Sequence, residues 1–521
     1  MDGTQAVRPS ALPVAALVGG GAIALGVGVV AGGDAAFAGA VVFFVAVLLS
    51  LGQTKWQVFT WPNAFLVFIA VIWLVPIKLY RLPVNLPFQL ELYRVLIAVL
   101  VLAFVVNSLV SKRQVEALGA GKPLFLLAAA ALSSQIVNAG AIDVPGSEGQ
   151  ALKSVSMLVS LIVVFLLVAS TIRTFREIET IVVALVLGGA VVAVTALYES
   201  RTSYNVFNHL SEWLPVFDRN ERDVLATRGG RLRVHASAQH PIALGAALMM
   251  LLPFAVYLLL KARTLRTKAV WVACMFVLAA GAAATISRTT VGMGVAMGIV
   301  AYVVRRQMLI RIVPLLLALP IFVHAVAPGA LGGLLASFGE QEKTSFVGSF
   351  YTRGGESGSG RLADFGPGLR LWASSPIVGL GLDSPNIAAS GADVPTVGPG
   401  RTTPVPIIFD NQYLGTLVTL GLVGIVGLVW FVWNTAVRLV RAARRLVGPY
   451  GDFIAACGVA CAGYGASMFF YDSLSYIQVT LLLFITAALG LRTLALAGGE
   501  TAVTSAQDGA PQLSSRDGAT G

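Results

Sequence analysis

The chain has 521 residues, of which 57% are hydrophobic and 12% are charged, and its mean hydropathy is +0.82. A soluble globular domain carries about 25% charged residues, so this composition excludes one and indicates an integral membrane protein. The formal net charge of +11 would suit nucleic acid. However, the basic residues lie in short segments between apolar runs, so no nucleic-acid partner is predicted.

Apolar windows long enough to cross a bilayer recur along the chain with no soluble block between them. We predict an all-α integral membrane bundle of about 12 to 14 transmembrane helices with two long extracytoplasmic loops. The windows are 12–31, 36–51, 62–77, 92–110, 123–142, 155–172, 178–198, 241–260, 269–286, 290–304, 309–327, 411–433, 453–470 and 474–491.

Three regions follow from this pattern. Residues 1–11 form a short N-terminus, and residues 12–491 form one integral membrane domain whose long loops are 199–240 and 328–410. Residues 492–521 are rich in small and polar residues and are predicted to be a disordered tail.

Lysine and arginine concentrate in alternate connections between the windows, whereas the intervening short connections carry almost none. This alternation obeys the positive-inside rule and predicts that both termini are cytoplasmic, with the basic face attracted to anionic membrane lipid. The basic connections hold Lys55, Lys112, Arg113, Lys122, Arg173, Arg176, Lys261, Arg263, Arg266, Lys268, Arg305, Arg306, Arg311, Arg438, Arg441, Arg444 and Arg445.

The segment 76–94, PIKLYRLPVNLPFQLELYR, contains three prolines and several aromatic residues suited to a membrane interface. We predict an interfacial or re-entrant elbow. Glu91 and Arg94 are three residues apart, and their pairing on one helix face is interpreted as a structural contact.

The first long loop, 199–240, becomes strongly cationic in RGGRLRVHASAQHP, just before the next apolar window. Two interpretations of Arg228, Arg231 and Arg233 stay open: a solvated or lipid-facing loop, or ligands for a diphosphate, since arginine offers bidentate donors to phosphate. His235 and His240 are compatible with general acid–base chemistry. His240 precedes Pro241, so its structural alternative is the start of a helix.

Arg288 lies in the turn TISRTTVG between two apolar windows, without an acidic neighbour in sequence. One interpretation is that its side chain reaches the phosphates of lipid headgroups. The other is that it binds a phosphate in a cavity of the protein.

The second long loop, 328–410, is rich in Gly, Ser and Pro. Apolar residues at helical intervals in 361–374 predict one amphipathic helix, whose first half Gly366, Pro367 and Gly368 would break. Arg361 and Arg370 lie in this segment as candidate site residues. A loop of this length with apolar anchors is interpreted as functional.

The loop ends in the stretch FDNQYLGTLVTLGLVGIVG, where polar Asp410, Asn411 and Tyr413 stand at the start of an apolar helix. Asp410 can accept a proton from a hydroxyl group, or it can cap the helix, because Asp and Asn are preferred N-cap residues. The two roles are compatible with one another.

Other chemistries lack support in the sequence. There is no Gly-rich phosphate loop with a following lysine, no His-rich metal spacing and no serine nucleophile motif. Cys457 and Cys461 share a helix face without further ligands nearby, so we predict small core residues there, no metal site and no cofactor.

Four motifs together resemble the O-antigen ligase and O-antigen polymerase superfamily of bacterial envelope glycosyltransferases, over about residues 60 to 490. Family ligases carry His, then Asn, Ser or Gln, then nine residues, Gly, two residues and a small residue. Here the pattern starts with Asp410 and Asn411, continues with QYLGTLVTL and ends with Gly421 and Gly424. The other motifs are LRLWASSPIVGLGLDS, VHASAQHPIALGAALMMLLP and SRTT.

The resemblance implies a metal-independent transfer of a glycan from a polyprenyl-diphosphate carrier onto the hydroxyl of a glycan, lipid or protein acceptor. The transfer would occur at the outer face of the bacterial cytoplasmic membrane, in cell-surface polysaccharide biosynthesis. Arg233, Arg231 and Arg288 would bind the donor diphosphate. Asp410 stands in place of the family's catalytic His, so the base is Asp410, or His235 or His240 substitutes, or activity is altered or absent.

That departure favours a polymerase or another glycan transferase over a lipopolysaccharide ligase. Two alternatives from other classes stay open. One is a transporter or flippase of lipid-linked sugars, which inverted repeats would favour, although no clear internal repeat is present. The other is an inactive scaffold of the polysaccharide assembly machinery.

Overall fold

The computed structural model describes residues 60–82, 90–111, 114–142, 148–214, 217–219, 227–228, 231–339, 365–382 and 409–508. Within these ranges the protein is almost wholly helical, and its helices pack around one large apolar core. The predicted all-α polytopic membrane architecture is therefore confirmed.

The elements follow one another along the chain without a larger sheet among the described residues. The helices are α1 (Trp61–Leu74), α2 (Leu92–Ser111), α3 (Gly121–Val137), α4 (Ala139–Ile142), α5 (Glu148–Thr171), α6 (Phe175–Thr202), α7 (Leu210–Trp213), α8 (Pro241–Lys261), α9 (Leu265–Ala284), α10 (Arg288–Val326), α11 (Ala330–Gly339), α12 (Phe365–Ser374), α13 (Gln412–Arg445), α14 (Pro449–Ser467) and α15 (Ile477–Asp508). A short 3₁₀ helix spans Val206–His209. The strands are β1 (Tyr80–Arg81), β2 (Asp218–Arg219), β3 (Thr227–Arg228) and β4 (Arg231–Leu232).

Eight helices in the described part of the chain are long and apolar enough to cross a membrane. They are Leu92–Val110, Leu152–Thr171, Phe175–Thr202, Pro241–Lys261, Leu265–Ala284, Leu309–Val326, Gln412–Arg445 and Ile477–Gly498. The predicted total of 12 to 14 also counts α1, α3, α14 and the first arm of α10. The windows 12–31 and 36–51 lie outside the described residues.

The long element α10 is a helical hairpin, because the chain reverses direction at Arg305, which has non-helical backbone angles. At the reversal, Arg305 Nε donates to Asp452 Oδ1 at 3.1 Å. At the other end, Val326 O accepts from Arg201 Nε at 2.8 Å, and Gly333, on α11, lies against Ile286. The start and the end of α10 thus lie at the same end of the bundle, as the two predicted windows require.

The core is built by α8, α14 and α15, whose small residues allow close helix contacts. A side chain at Gly463 would meet Met297 on α10, and one at Gly458 would meet Val440 on α13. Cys457 and Cys461 are buried and free, as their prediction as small core residues requires. The predicted pair of Glu91 and Arg94 is also confirmed: both are buried, with 3.1 Å between Oε2 and Nε.

The helix α13 is broken at Gly421, whose φ of 65° and ψ of −163° are not helical. The segment 376–381 lies in the break and replaces the lost helical bonds. Leu422 and Val423 donate their N–H groups to Pro376 O and Ile377 O, at 2.9 and 3.3 Å. In return, Leu380 and Gly381 donate to Val418 O and Thr419 O, at 2.9 and 3.0 Å. All four backbone groups therefore stay satisfied inside the bundle.

Two boundaries differ from the prediction. The tail does not begin at 492, because α15 continues to Asp508 and both Arg492 and Thr493 are buried. Arg492 is held there by Glu116 Oε2, which accepts from its Nη2 at 2.8 Å. In the second loop, α12 includes Gly366, Pro367 and Gly368. These residues do not break the helix because proline is compatible with the first helical turn.

Candidate active site

The predicted site residues that the structure describes gather at the end of the bundle that carries the C-terminus of α6 and the N-termini of α8, α10 and α13. We call it the loop end. The opposite end carries Arg173, Lys261 and Arg305, each in an ion pair with a glutamate or aspartate. Charged side chains at the loop end are thus separated from the basic connections by the length of the helices.

The last part of the first loop is fixed by the buried Glu199, at the end of α6. Its carboxylate accepts the backbone N–H groups of His235 (3.4 Å) and Ala236 (2.8 Å). Asn205 Nδ2 donates to Ala236 O at 3.0 Å, and Ala236 has a φ of 46°. A strained non-glycine residue held from both sides is typical of functional sites.

His235 is tied into the same network. Its Nδ1 lies 3.2 Å from Ala238 O and 3.5 Å from Asn205 Nδ2. A carbonyl can only accept and Asn205 Nδ2 can only donate, so Nδ1 can satisfy one of the two contacts. If the shorter contact, to Ala238 O, is the hydrogen bond, the neutral ring carries its proton on Nδ1 and its lone pair on Nε2. His235 therefore keeps one nitrogen capable of accepting a proton.

His240 has the opposite tautomer. It is the N-cap of α8, with Pro241 as the first helical residue, and its Nδ1 accepts the N–H of Ile242 at 3.2 Å. The neutral ring then carries its proton on Nε2, which makes it a hydrogen-bond donor. The predicted structural role of His240 at a helix start is confirmed.

The two arginines predicted to bind phosphate converge on the turn before α10. Arg233 is buried, and its Nε donates to Thr285 O at 3.2 Å. Arg288 is the first residue of α10, and a helix N-terminus favours an anion. Between them Ile286 has a φ of 48°, a rare conformation for a β-branched residue. Arg231 is exposed and lies against Gly329.

Asp410 stands one residue before the N-cap of α13. The capping residue is Asn411, whose Oδ1 accepts the N–H of Leu414 at 3.1 Å, so the alternative of capping by Asp410 is not realised. Gln412 ties the helix start to the α14–α15 turn by donating its N–H to Met468 O (2.9 Å) and accepting from Leu474 N (2.6 Å). The exposed Asp410 is thereby fixed beside that turn.

Tyr476, the last residue of that turn, connects the groups electrostatically. Its ring lies 5.6 Å from the ring of His240. Burial raises the pKa of the Tyr476 phenol above its ordinary value, and the carboxylates of Asp472 and Asp410 raise it further, while Arg233 lowers it. Asp410 and Arg233, far apart in sequence, therefore act on one hydroxyl.

The remaining predicted residues are placed less centrally. Tyr413 donates its hydroxyl to Gly465 O at 2.7 Å and accepts from Trp433 Nε1, so its polar group is used within the fold. Arg370 is exposed on α12, which packs against Leu414. Arg361 lies outside the described residues.

Sequence reasoning missed Glu199, Asp472, Tyr476 and Lys78 as site residues. Lys78 Nζ donates to Ser475 O at 2.9 Å, and its own N–H donates to Glu91 Oε1 at 2.9 Å. The available signal was that polar residues border apolar windows at 199 and 472–476. These residues come together through helix packing, and the apolar windows carry no information about packing.

The described residues contain no group of three or more His, Cys, Asp or Glu side chains that could hold a metal ion. In comparisons with known proteins, residues 273–429 match the family described as O-antigen ligase. The match includes Arg288, Arg370 and Asp410, while Arg233, His235 and His240 precede it. No curated protein matches the chain.

Proposed function

Because its O-antigen ligase domain makes this chain a member of the O-antigen ligase and polymerase superfamily, we propose that it transfers a glycan from a polyprenyl-diphosphate carrier to an acceptor hydroxyl. The acceptor is a glycan, lipid or protein. The single observation that carries the proposal is the convergence at the loop end of an aspartate, two arginines and a helix N-terminus.

The donor diphosphate binds between Arg233 and Arg288. Arg233 is buried and oriented by Thr285 O, and Arg288 begins α10, so two guanidinium groups and the positive end of a helix dipole face one region. Arg231, beside Gly329 at the edge of this region, contributes through its charge. The arrangement suits a dianionic group and needs no metal ion.

Asp410 is the base that takes the proton of the acceptor hydroxyl. Three features support it over the histidines: it is exposed, it is not the cap of α13, and its charge acts on Tyr476, as does that of Arg233. His240 carries its proton on Nε2 and is suited to donate a hydrogen bond to the donor. His235 is the alternative base, because its Nε2 keeps a lone pair.

The loop end faces outward from the cytoplasmic membrane, and both termini are cytoplasmic. The support is the concentration of Arg and Lys in the connections at the opposite end of the bundle. The integral domain spans residues 12 to the end of α15, and the loops 199–240 and 328–410 belong to the outer face.

The test is glycan analysis by gel electrophoresis and mass spectrometry in cells that carry Arg233→Ala, Arg288→Ala or Asp410→Ala. Each variant is expected to lose glycan transfer, with accumulation of the lipid-linked donor. Arg81→Ala is the matched control, because Arg81 is an exposed arginine of the loop end paired 3.6 Å from the exposed Asp218.

Unchanged glycan length and attachment in all three variants, at normal protein levels, would refute the proposal. Relocation of lipid-linked sugar across vesicles without transfer would establish a flippase instead. Loss of transfer in His235→Gln with retention in Asp410→Asn would move the base to His235.

A further inference from the structure

Three tyrosines near the loop end use their hydroxyls within the fold, whereas the buried Tyr471 and the half-buried Tyr476 do not. Tyr80 donates to Phe207 O at 2.8 Å, Tyr413 to Gly465 O at 2.7 Å, and Tyr464 shares a 2.9 Å hydrogen bond with Thr480. Among the described residues, the Tyr476 hydroxyl has no hydrogen-bond partner, and its side chain is only half-buried. The fold therefore does not use this polar group.

The position of Tyr476 is nevertheless held on several sides. The preceding carbonyl, Ser475 O, accepts from Lys78 Nζ at 2.9 Å, and the following N–H, of Ile477, donates to Gln239 Oε1 at 2.8 Å. Its ring is packed 5.6 Å from the rings of both His240 and Tyr471. A hydroxyl held this firmly without an internal partner is placed for an external one.

The charges around the Tyr476 ring determine whether its hydroxyl donates or accepts a hydrogen bond to that external partner. Burial raises the pKa of Tyr476, the negative charges of Asp472, in the same turn, and Asp410, before α13, raise it further, and Arg233 lowers it. The His240 ring packs on the Tyr476 ring, and Lys78 bonds to the preceding carbonyl. The phenol is thus a neutral O–H donor within the electrostatic influence of the proposed base and of a proposed diphosphate ligand.

We propose that Tyr476 is a further substrate-contacting residue, whose hydroxyl donates a hydrogen bond to the phosphate oxygen that leaves the sugar. This inference rests on the proposed function. The acceptor oxygen bonds to the anomeric carbon as the carbon–oxygen bond to the diphosphate breaks. The acceptor proton goes to Asp410, and the bond electrons go to the departing phosphate oxygen, where Tyr476 stabilises the new charge.

The test compares Tyr476→Phe with Tyr471→Phe, both of which keep the ring and remove only the hydroxyl. Tyr471 is the matched control because it belongs to the same turn and packs on Tyr476. The assay uses lipid-linked glycan extracted from the host as donor and measures the initial rate of transfer. Tyr476→Phe is expected to lower kcat about 10- to 100-fold, as expected for a hydrogen bond to a charged group.

The split between kcat and KM separates this role from a structural one. A bond that strengthens as charge develops lowers kcat and leaves the donor KM within about threefold. Tyr471→Phe is expected to keep both constants, and the two variants should unfold at similar temperatures.

Two further variants distinguish the failure of this inference from that of the function. If Arg233→Ala and Asp410→Asn lose transfer while Tyr476→Phe behaves like Tyr471→Phe, the role of Tyr476 is refuted and the function stands. If all of them transfer glycan at the wild-type rate, the function itself is refuted. A rise in donor KM at unchanged kcat would also overturn the inference, because it indicates ground-state binding only.

Discussion

Asp410 and Asn411 are adjacent and chemically similar, but only Asn411 caps α13. Asn411 is buried and caps α13 through its Oδ1, whereas Asp410 is exposed and its charge raises the pKa of Tyr476. An N-cap can be Asn or Asp with little difference in helix stability. Asn411 therefore makes the capping hydrogen bond, and the carboxylate of Asp410 stands one residue earlier.

Asp410→His puts an imidazole at the position of the proposed base and is expected to change the pH dependence. A base must be deprotonated to act, so activity rises as pH rises through the pKa of the base. An unperturbed imidazole titrates roughly 2 to 3 pH units above an unperturbed aspartate. The acid limb of the pH–rate profile is expected to move upward by about that amount. An unmoved limb would show that residue 410 does not set it.

Glu199→Gln tests the anchor of the first loop. The amide keeps one acceptor but sets an NH₂ group against the backbone donor of His235 or Ala236. We expect a loss of about 1–3 kcal/mol of stability, measured by thermal unfolding in detergent. Glu212→Gln, which changes an exposed glutamate beside His209, is the control and should stay within about 1 kcal/mol of wild type. Equal effects would argue against the anchor.

At the scale of elements, hydropathy predicts where the helices lie but not where a helix is broken. Every apolar window from residue 62 onward falls on a helix, because about 20 apolar residues must form one in a membrane. The pair 290–304 and 309–327 was predicted correctly as two arms of α10, since Arg305 and Arg306 are costly within a membrane. The break in α13 was not predicted, because Gly421 in an apolar run resembles any other small residue.

The break gives a stringent test of packing. A Cβ at Gly421 would lie 2.2 Å from Ile377 O, and its φ of 65° is strained for any other residue. Gly421→Ala is expected to destabilise the protein by about 2–4 kcal/mol. Gly298→Ala is the control: a Cβ there meets nothing within 4 Å on the helical α10, so the change should be neutral or stabilising by about 0.5–1 kcal/mol. Similar unfolding temperatures for the two variants would contradict the geometry of the break.

At the scale of the whole molecule, the sequence predicts which residues belong to the site but not how they are arranged in space. The sequence identifies Arg233, Arg288, His240 and Asp410 as polar residues beside apolar windows. It does not show that the charges of Asp410 and Arg233 both act on Tyr476, because that requires α8, α13 and α15 to start at one end of the bundle.

The orientation of the bundle can be measured with introduced cysteines. Cys274, Cys457 and Cys461 are buried, so an impermeant maleimide should not label the wild type. Glu212→Cys is expected to be labelled on intact spheroplasts, and Arg263→Cys only after the membrane is permeabilised. Labelling of position 263 alone on intact cells would invert the proposed topology.

The hydrogen bonds at Gly421 also bear on how the protein is made. Gly421 lies nine residues into α13, about 13 Å along the helix axis. Without the segment 376–381, the N–H groups of Leu422 and Val423 and the carbonyl of Val418 would enter the lipid unpaired, at a cost of several kcal/mol. That segment, and Ser134, whose hydroxyl donates to Thr419 O at 2.8 Å, precede α13 in the chain. During synthesis, the segments that hydrogen-bond to the broken part of α13 are therefore made before α13 itself.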